Sequence, residues 1–237
     1  MQRKKTFYGV TIGILMVKSS FRRYLGDVGN ALTFPFPVQY RIVEEALPAR
    51  MTTLHRSSVL EPCKRAADEL IEAGVDGITT TCGFLSLYQE ELAAHCRVPV
   101  ATSSLLQVPL VERLLPAGKR VGILTFDGEA LKGPYLDAVG VPQDTPLYGM
   151  PRTSSFRRWI GEGDNSITFP TLREEVVAAA RGLLAHHPEV GAIVSECTNL
   201  APFSHDIHKA LGVPVFDIVS MINLFHAGLS PPRYENP

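Results

Sequence analysis

The sequence predicts an α/β protein with two similar lobes, each a short parallel sheet flanked by helices, related by a pseudo-two-fold axis. Apolar runs of strand length alternate with helical patterns along the chain, which is typical of parallel sheets with right-handed crossovers. Two markers recur at one offset: Cys82 lies 115 positions before Cys197, and Val98-Pro99-Val100 lies 115 before Val213-Pro214-Val215. Each cysteine closes an apolar run, at the strand end where open parallel sheets bind ligands.

The composition excludes several classes of protein. The chain has 237 residues, 45% apolar and 20% charged, with 23 Lys and Arg against 24 Asp and Glu. This balance indicates a soluble globular protein and favours neither nucleic acid nor a membrane as a partner. The apolar stretch from residue 8 to 17 follows basic residues, but no small-x-small cleavage site comes after it. We expect a buried first strand and a cytoplasmic protein whose four cysteines stay reduced and bind no metal.

The first lobe is expected to comprise residues 1–103 plus 217–237. In the first half of the chain, strands are predicted at 8–16, 38–43, 75–81 and 98–102, and helices at 58–73, 85–95 and 105–115. Ser58 and Glu61 have the spacing of a capping box, and Gly74 ends that helix. Residues 17–37 are rich in Gly and Pro, and so long an irregular segment is often functional. We expect it to cover a cleft.

The second lobe is expected at 104–216, with the active site between the lobes. In the second half of the chain, strands are predicted at 120–125, 146–150, 190–195 and 213–218, and helices at 129–139, 171–186 and 202–211, with a last helix at 221–227. Thr171 and Glu174 form a second capping-box pattern. Residues 151–170 are expected to be irregular. Asn165 to Pro170 resembles Asn30 to Pro35, which indicates either matching lids or a coincidence.

The two cysteines are candidate catalytic residues. A thiol at a helix start feels the positive end of the helix dipole and free N–H groups, which are expected to lower its pKa toward neutral. Two such groups on opposite faces of one carbon, Cys82 and Cys197, can remove a proton and return it on the other side. We expect the strand ends and helix starts to supply hydrogen-bond donors for the resulting oxyanion and other contacts to the substrate. These candidates are Thr81, Gly83, Phe84, Ser103, Thr125, Thr198 and Asn199.

Other interpretations remain open. A lone cysteine at a strand end is more often a core residue than a catalyst, and only the symmetric pair argues otherwise. Glu196 either tunes Cys197 or forms a salt bridge at a sheet edge. The loop arginines could clamp a carboxylate or be solvated; these are Arg22, Arg23, Arg157 and Arg158. Cys63 and Cys96 are predicted to be packing thiols.

The cysteine motifs resemble those of the aspartate/glutamate racemase superfamily. The segment from Ile193 to Leu200 resembles its second cysteine motif, and that from Ile78 to Phe84 resembles the first more loosely. The duplicated α/β layout is similar over nearly the whole chain. The resemblance implies a Cys82–Cys197 acid/base pair, no metal or pyridoxal cofactor, and a homo-oligomer.

Departures from that pattern bear on the substrate. The amino-acid racemases usually have Asn and Thr where this chain has Gly83 and Phe84, and an acidic residue or His where it has Asn199. Glutamate racemases have Asp-Ser where residues 16–17 are Met and Val. These differences favour a hydantoin-like ring, or another carboxylate or carbonyl compound, over a free amino acid.

The sequence therefore predicts a cofactor-independent racemase or epimerase. It would act on a small molecule at a carbon next to a carboxylate or carbonyl. The alternatives are a cis-trans isomerase or a decarboxylase or other lyase of the same superfamily, and a two-lobed ligand-binding protein without catalysis.

Overall fold

Two four-stranded parallel sheets form the framework of the protein. The computed structural model describes residues 5–46 and 56–235, without the side chains of 56–58. The first sheet has the order β2-β1-β3-β4 and the second β6-β5-β7-β8. Their strands are β1 Ile12–Val17, β2 Val38–Val43, β3 Gly77–Thr80, β4 Val100–Ala101, β5 Arg120–Thr125, β6 Leu147–Gly149, β7 Val190–Ser195 and β8 Val215–Phe216. The two sheets repeat one topology, which confirms the predicted fold class.

Eight α-helices within the described residues connect and cover these strands. They are α1 Arg56–Ala73, α2 Gln89–His95, α3 Val108–Glu112, α4 Pro134–Asp137, α5 Ser155–Glu162, α6 Phe169–His186, α7 Ser204–Leu211 and α8 Ile218–Leu229. Among the described residues no helix is both long and apolar enough to cross a membrane.

The first strand is buried on both faces, as its continuous apolar run predicts. Ile12 and Ile14 face one way, toward α8, and pack with Ile218 and Ile222. Leu15 and Val17 belong to another apolar cluster with residues of α1. Because alternate residues of a strand point to opposite faces, a strand covered on both sides must be apolar at every position. The first sheet is thus sandwiched between α1 and α8.

Short 3₁₀ helices follow three of the strands that carry the predicted site residues. They span Gly83–Tyr88 after β3, Ser104–Gln107 after β4 and Thr198–Phe203 after β7. Each leads directly into an α-helix, so the predicted helices at 85–95, 105–115 and 202–211 are mixed in type. The first and third place Cys82 and Cys197 at equivalent N-cap positions of the two lobes.

Several predicted boundaries are wrong. Residues 151–170 contain α5, which Ser154 caps by accepting a hydrogen bond from the Arg157 N–H. Helix α6 begins at Phe169 because Thr168, not Thr171, is its N-cap. The helix predicted at 129–139 is reduced to α4, because Gly133 adopts a φ of +57° and Pro134 starts a new turn.

The ends of other elements also shift. Strand β1 begins at Ile12, whereas β4 and β8 are only two residues long. Helix α1 starts at Arg56 and ends before Gly74, as predicted. The side chain of Ser58, the expected cap, lies outside the described residues. The exact lobe boundaries stay predictions, although α8 packs on the first sheet.

Candidate active site

A cavity lies where the carboxyl ends of the two sheets meet. It encloses about 520 Å³, counting its open mouth. Cys82 follows β3 of the first sheet and Cys197 follows β7 of the second, and both line it. The other lining residues are Val17, Ser19, Phe21, Arg23, Thr81, Gly83, Phe84, Phe126, Ile160, Glu196, Thr198 and Asn199. The lining is mostly apolar and aromatic, with Arg23 and Glu196 as its charged side chains.

Hydrogen bonds join the two lobes beside the cavity. The Thr198 hydroxyl donates to the Thr81 carbonyl at 2.7 Å, and the Ser104 hydroxyl donates to the Ser195 carbonyl at 2.6 Å. Each bond ties the end of one sheet to the end of the other. These bonds from hydroxyl groups to backbone carbonyls therefore fix the positions of the two cysteines relative to each other.

Cys82 is the N-cap residue of the 3₁₀ helix that follows it. Burial, followed by the negative charge of Glu196, raises the pKa of Cys82 to about 12. The backbone N–H groups of Phe84 and Leu85 act in the opposite direction by stabilising the thiolate. The sequence predicted a lowered thiol pKa, and that prediction is wrong because desolvation outweighs the donors.

The Cys197 thiol is held in its protonated form by Asn199. The Asn199 amide nitrogen donates to the Asp27 carboxylate at 2.8 Å, which fixes the orientation of that amide. Its oxygen then faces Cys197 and accepts the S–H at 3.8 Å. Burial, followed by the charge of Glu196, raises the pKa of Cys197 well above its ordinary value.

Most of the predicted substrate-binding residues line the cavity. Those that do are Thr81, Gly83, Phe84, Thr198 and Asn199. Ser103 and Thr125 do not, because both are fully buried and their hydroxyls are already used. The Ser103 oxygen caps the 3₁₀ helix after β4, and the Thr125 hydroxyl donates to Glu196 at 2.5 Å.

Glu196 was not among the predicted catalytic or substrate-binding residues, although its position beside Cys197 was noted. It has no exposed surface and, within the described residues, forms no salt bridge, which excludes the edge interpretation. Its Oε2 accepts the Thr125 hydroxyl, and its Oε1 has no hydrogen-bond partner among the described residues. Burial raises the pKa of Glu196 to about 7, and the Thr125 bond opposes this shift.

The irregular segment after β1 supplies an ion pair at the site. Arg23 donates to Asp27 at 2.7 Å and to the Ser19 hydroxyl at 2.8 Å. Asp27 has no exposed surface and connects this pair to Asn199. Sequence reasoning considered Arg23 but missed Asp27, because nothing in an irregular segment marks one acidic residue as buried.

The same segment is fastened to the other lobe. The Asn165 side chain accepts from the Arg22 N–H at 2.6 Å and donates to the Ser20 carbonyl at 3.2 Å. Phe21 and Tyr24 pack against the buried Trp159 of α5, with ring centroids 5.0 and 5.7 Å apart. We call these contacts the clasp. They place residues 19–24 over the cavity, beside the segment that follows α5.

No metal-binding site is evident among the described residues. The described part of the chain contains no group of three or more His, Cys, Asp or Glu side chains placed to hold a metal ion. Cys63 is buried in the core of the first lobe, and Cys96 packs against that core.

Comparisons with known proteins agree on the family and the type of fold. The family model for Asp/Glu/hydantoin racemase matches residues 46–222. A dimethylsulfoniopropionate lyase from Durusdinium sp. clade D is 29% identical over 94% of this chain and 77% of its own length. Dimethylsulfoniopropionate lyase 6 of Emiliania huxleyi (strain CCMP1516) is 30% identical over 94% of this chain, which spans only 61% of that relative.

A solved structure shows the same fold. A mutant of arylmalonate decarboxylase superposes with a TM-score of 0.63 and 18% identity, over 96% of this chain and 97% of that one.

Proposed function

Because the chain belongs to the Asp/Glu/hydantoin racemase family, we propose that it removes a proton from a carbon next to a carboxylate without a cofactor. We further propose that the reaction ends in elimination, so that the protein is a lyase acting on dimethylsulfoniopropionate or a closely related sulfonium acid. The relatives named above support the lyase assignment.

The observation that carries the proposal is the placement of two thiols on one cavity. Cys82 and Cys197 come from different sheets and line the same space. A carbon acid bound between them would have a sulfur atom available for its α-proton. Thiolates are effective bases for such protons once they form.

The contacts favour Cys82 as the base. Two backbone N–H groups, of Phe84 and Leu85, stabilise the Cys82 thiolate. One backbone N–H, of Asn199, acts on Cys197 in this way, and the Cys197 S–H also donates to the Asn199 side-chain oxygen. In the proposed reaction, the Cys82 thiolate takes the α-proton. The electron pair of the broken C–H bond forms the carbon–carbon double bond. The C–S bond breaks and its pair leaves on sulfur, which gives acrylate, neutral dimethyl sulfide and, after the thiol is regenerated as thiolate, one proton.

The lining of the cavity suits such a substrate. Arg23 is the cationic side chain among the lining residues and has donors for a carboxylate. The rings of Phe21, Phe84 and Phe126 offer an apolar, aromatic surface to a dimethylsulfonium group, whose positive charge is attracted to aromatic faces.

Racemisation or epimerisation is the second candidate, and the pair of thiols itself favours it. Elimination needs one base, whereas inversion of a carbon needs an acid and a base on opposite faces. Both cysteines are present in this cavity. A substrate without a β leaving group would then exchange its α-proton instead of breaking a C–S bond.

Headspace gas chromatography with dimethylsulfoniopropionate tests the proposal. We expect dimethyl sulfide from the intact protein and equimolar acrylate by NMR. Replacing the proposed base, Cys82→Ser, should lower kcat/KM by about 100-fold or more, since a serine hydroxyl is a far weaker acid than a thiol. Cys96→Ser is the matched control, because Cys96 lies outside the cavity, and should stay within twofold.

A parallel incubation in D₂O separates the two candidates. Deuterium entering the α position of chiral acids or hydantoins, with no dimethyl sulfide formed, would assign racemisation instead. Absence of both products with both substrate classes would contradict the whole proposal.

A further inference from the structure

Glu196 has no role in the reaction described above, yet it lies at the centre of the site. It stands between Ser195, the last residue of β7, and Cys197, and its carboxyl group is wholly buried. Its backbone N–H donates to the Leu124 carbonyl at 2.8 Å, which fixes the residue to β5. The carboxyl then extends across to the first lobe, where it packs against Gly83.

The surroundings of this carboxyl group do not suit a permanent negative charge. Within the described residues no cation forms an ion pair with it, and Oε1 accepts no hydrogen bond. In the part of the chain that the structure describes, the Thr125 hydroxyl is its single hydrogen-bond donor. An ionised carboxylate that is buried with one donor costs several kcal/mol relative to water, so proton uptake near neutral pH is favoured.

The carboxyl is also close enough to both cysteines to influence them. Its charge raises the pKa of Cys82 and of Cys197. Loss of that charge therefore makes either thiolate easier to form. In a buried site, two neighbouring negative charges repel each other strongly. Moving one charge from Glu196 to a cysteine costs less free energy than having both groups charged at once.

We propose that Glu196 is a positioning residue that takes up a proton as a cysteine thiolate forms, so that the buried site keeps one negative charge throughout the reaction. The cysteine S–H bond breaks, its proton passes through solvent, and an O–H bond forms on Oε1, with no change in net charge. When the thiolate later removes the substrate proton, Glu196 is left protonated. It then returns its proton to solvent, which accounts for the proton that elimination releases.

This inference rests on the proposed function only in taking a cysteine as the base. Other titratable groups face the same region and belong to the coupled system. Asp27, paired with Arg23, raises the pKa of Cys197. The pKa of Tyr135 in α4 is raised by burial and by Cys82 and Glu196. Since each of these stays in place in the variants below, changes between variants report on Glu196.

The pH dependence of thiol alkylation tests the proposal without any substrate. Iodoacetamide labelling of Cys82 and Cys197 is followed by peptide mass spectrometry between pH 5 and 10. We expect the intact protein to show an inflection near the Glu196 pKa. In Glu196→Gln the inflection should disappear and labelling of Cys82 at pH 7.5 should rise at least threefold, because a neutral amide no longer opposes the thiolate. Turnover should nevertheless fall at least tenfold.

Two further variants keep the test decisive. Ser195→Ala changes the neighbouring buried residue and should leave the labelling curve unchanged. Thr125→Val retains the carboxyl but removes its donor, so the inflection should move to higher pH; it also serves if the glutamine variant does not fold. A glutamine variant with unaltered labelling and turnover within twofold overturns the proposal, as does a parallel loss of both. The labelling curve can fail while dimethyl sulfide is still released, so the two proposals fail separately.

Discussion

At the scale of single residues, Gly83 and Glu196 depend on each other. A Cβ atom on Gly83 would lie 2.1 Å from Oε1 of Glu196 and 2.3 Å from its carbonyl oxygen. The backbone oxygen cannot move away as a flexible side chain could. A glycine directly after Cys82 is therefore what permits a buried acid directly before Cys197. This pairing gives a physical reason for one of the departures of the first cysteine motif from the racemase pattern.

Gly83→Ala should consequently damage the site. We expect a loss of about 2–3 kcal/mol in the free energy of unfolding, the usual cost of forcing atoms into a packed interior, and a large loss of turnover. Chemical denaturation followed by circular dichroism measures the first quantity. Gly161→Ala is the control, since a Cβ there meets nothing within 4 Å and alanine suits a helix better. An alanine at position 83 as stable as the parent would contradict the geometry.

Much of the site could be predicted from individual residues, and part of it could not. The two cysteines were identified because their shared offset and strand-end positions are visible in the sequence. Ser103 and Thr125 have the right positions at strand ends, but their hydroxyls are used within the protein. Asp27 is fixed by contacts with the other lobe, and local sequence does not specify such contacts.

At the scale of elements, some helices and strands could likewise be predicted from local sequence and others could not. The long strands β5 and β7 were predicted at their observed bounds because burial on both faces imposes a continuous apolar run. Strand β1 was also predicted, but it begins four residues later than expected. Helix α5 was missed because it is short, and its basic residues suggested a loop, although Ser154 is a good N-cap. Its apolar side, which includes Trp159, is buried against residues that precede it by more than 100 positions.

The clasp makes a testable prediction at this scale. Asn165→Ala removes both bonds to the segment of residues 20–22. We expect faster amide hydrogen exchange in residues 18–25 and a fall of about threefold to tenfold in kcat/KM, roughly 1 kcal/mol. Ser166→Ala is the matched control, since among the described residues that hydroxyl bonds only to Asp164, two positions earlier. Unchanged exchange in Asn165→Ala would show that aromatic packing alone fastens the segment.

At the scale of the whole molecule, two sheets of the same topology carry one site. Neither sheet supplies both sulfur atoms, so the relative placement of the lobes decides the chemistry. The bonds Thr198 to Thr81 and Ser104 to Ser195 are buried and lie beside the cavity. Buried hydrogen bonds of this kind stabilise modestly when made, but leaving one partner unsatisfied is costly.

Ser104→Ala tests whether this junction contributes to global stability. The Ser195 carbonyl would lose its donor from the other lobe, so the free energy of unfolding should fall by about 1–2 kcal/mol. Urea denaturation should still show a single transition if the lobes unfold together. Ser155→Ala, on a partly exposed helix start, should change stability by less than about 0.5 kcal/mol. Two separate transitions in the parent protein would show that the lobes unfold independently.

The bond between Asp27 and Asn199 connects the segment over the cavity with the surroundings of the Cys197 thiol. Asp27 belongs to the segment that the clasp holds over the cavity, and it is also what sets the direction of the Asn199 amide. A movement of this segment that withdrew the Asp27 carboxylate would leave the Asn199 amide without the partner that orients it. The amide is then free to turn, and the S–H of Cys197 loses the acceptor that now faces it. The surroundings of the Cys197 thiol therefore depend on a distant segment of the chain as well as on its own loop.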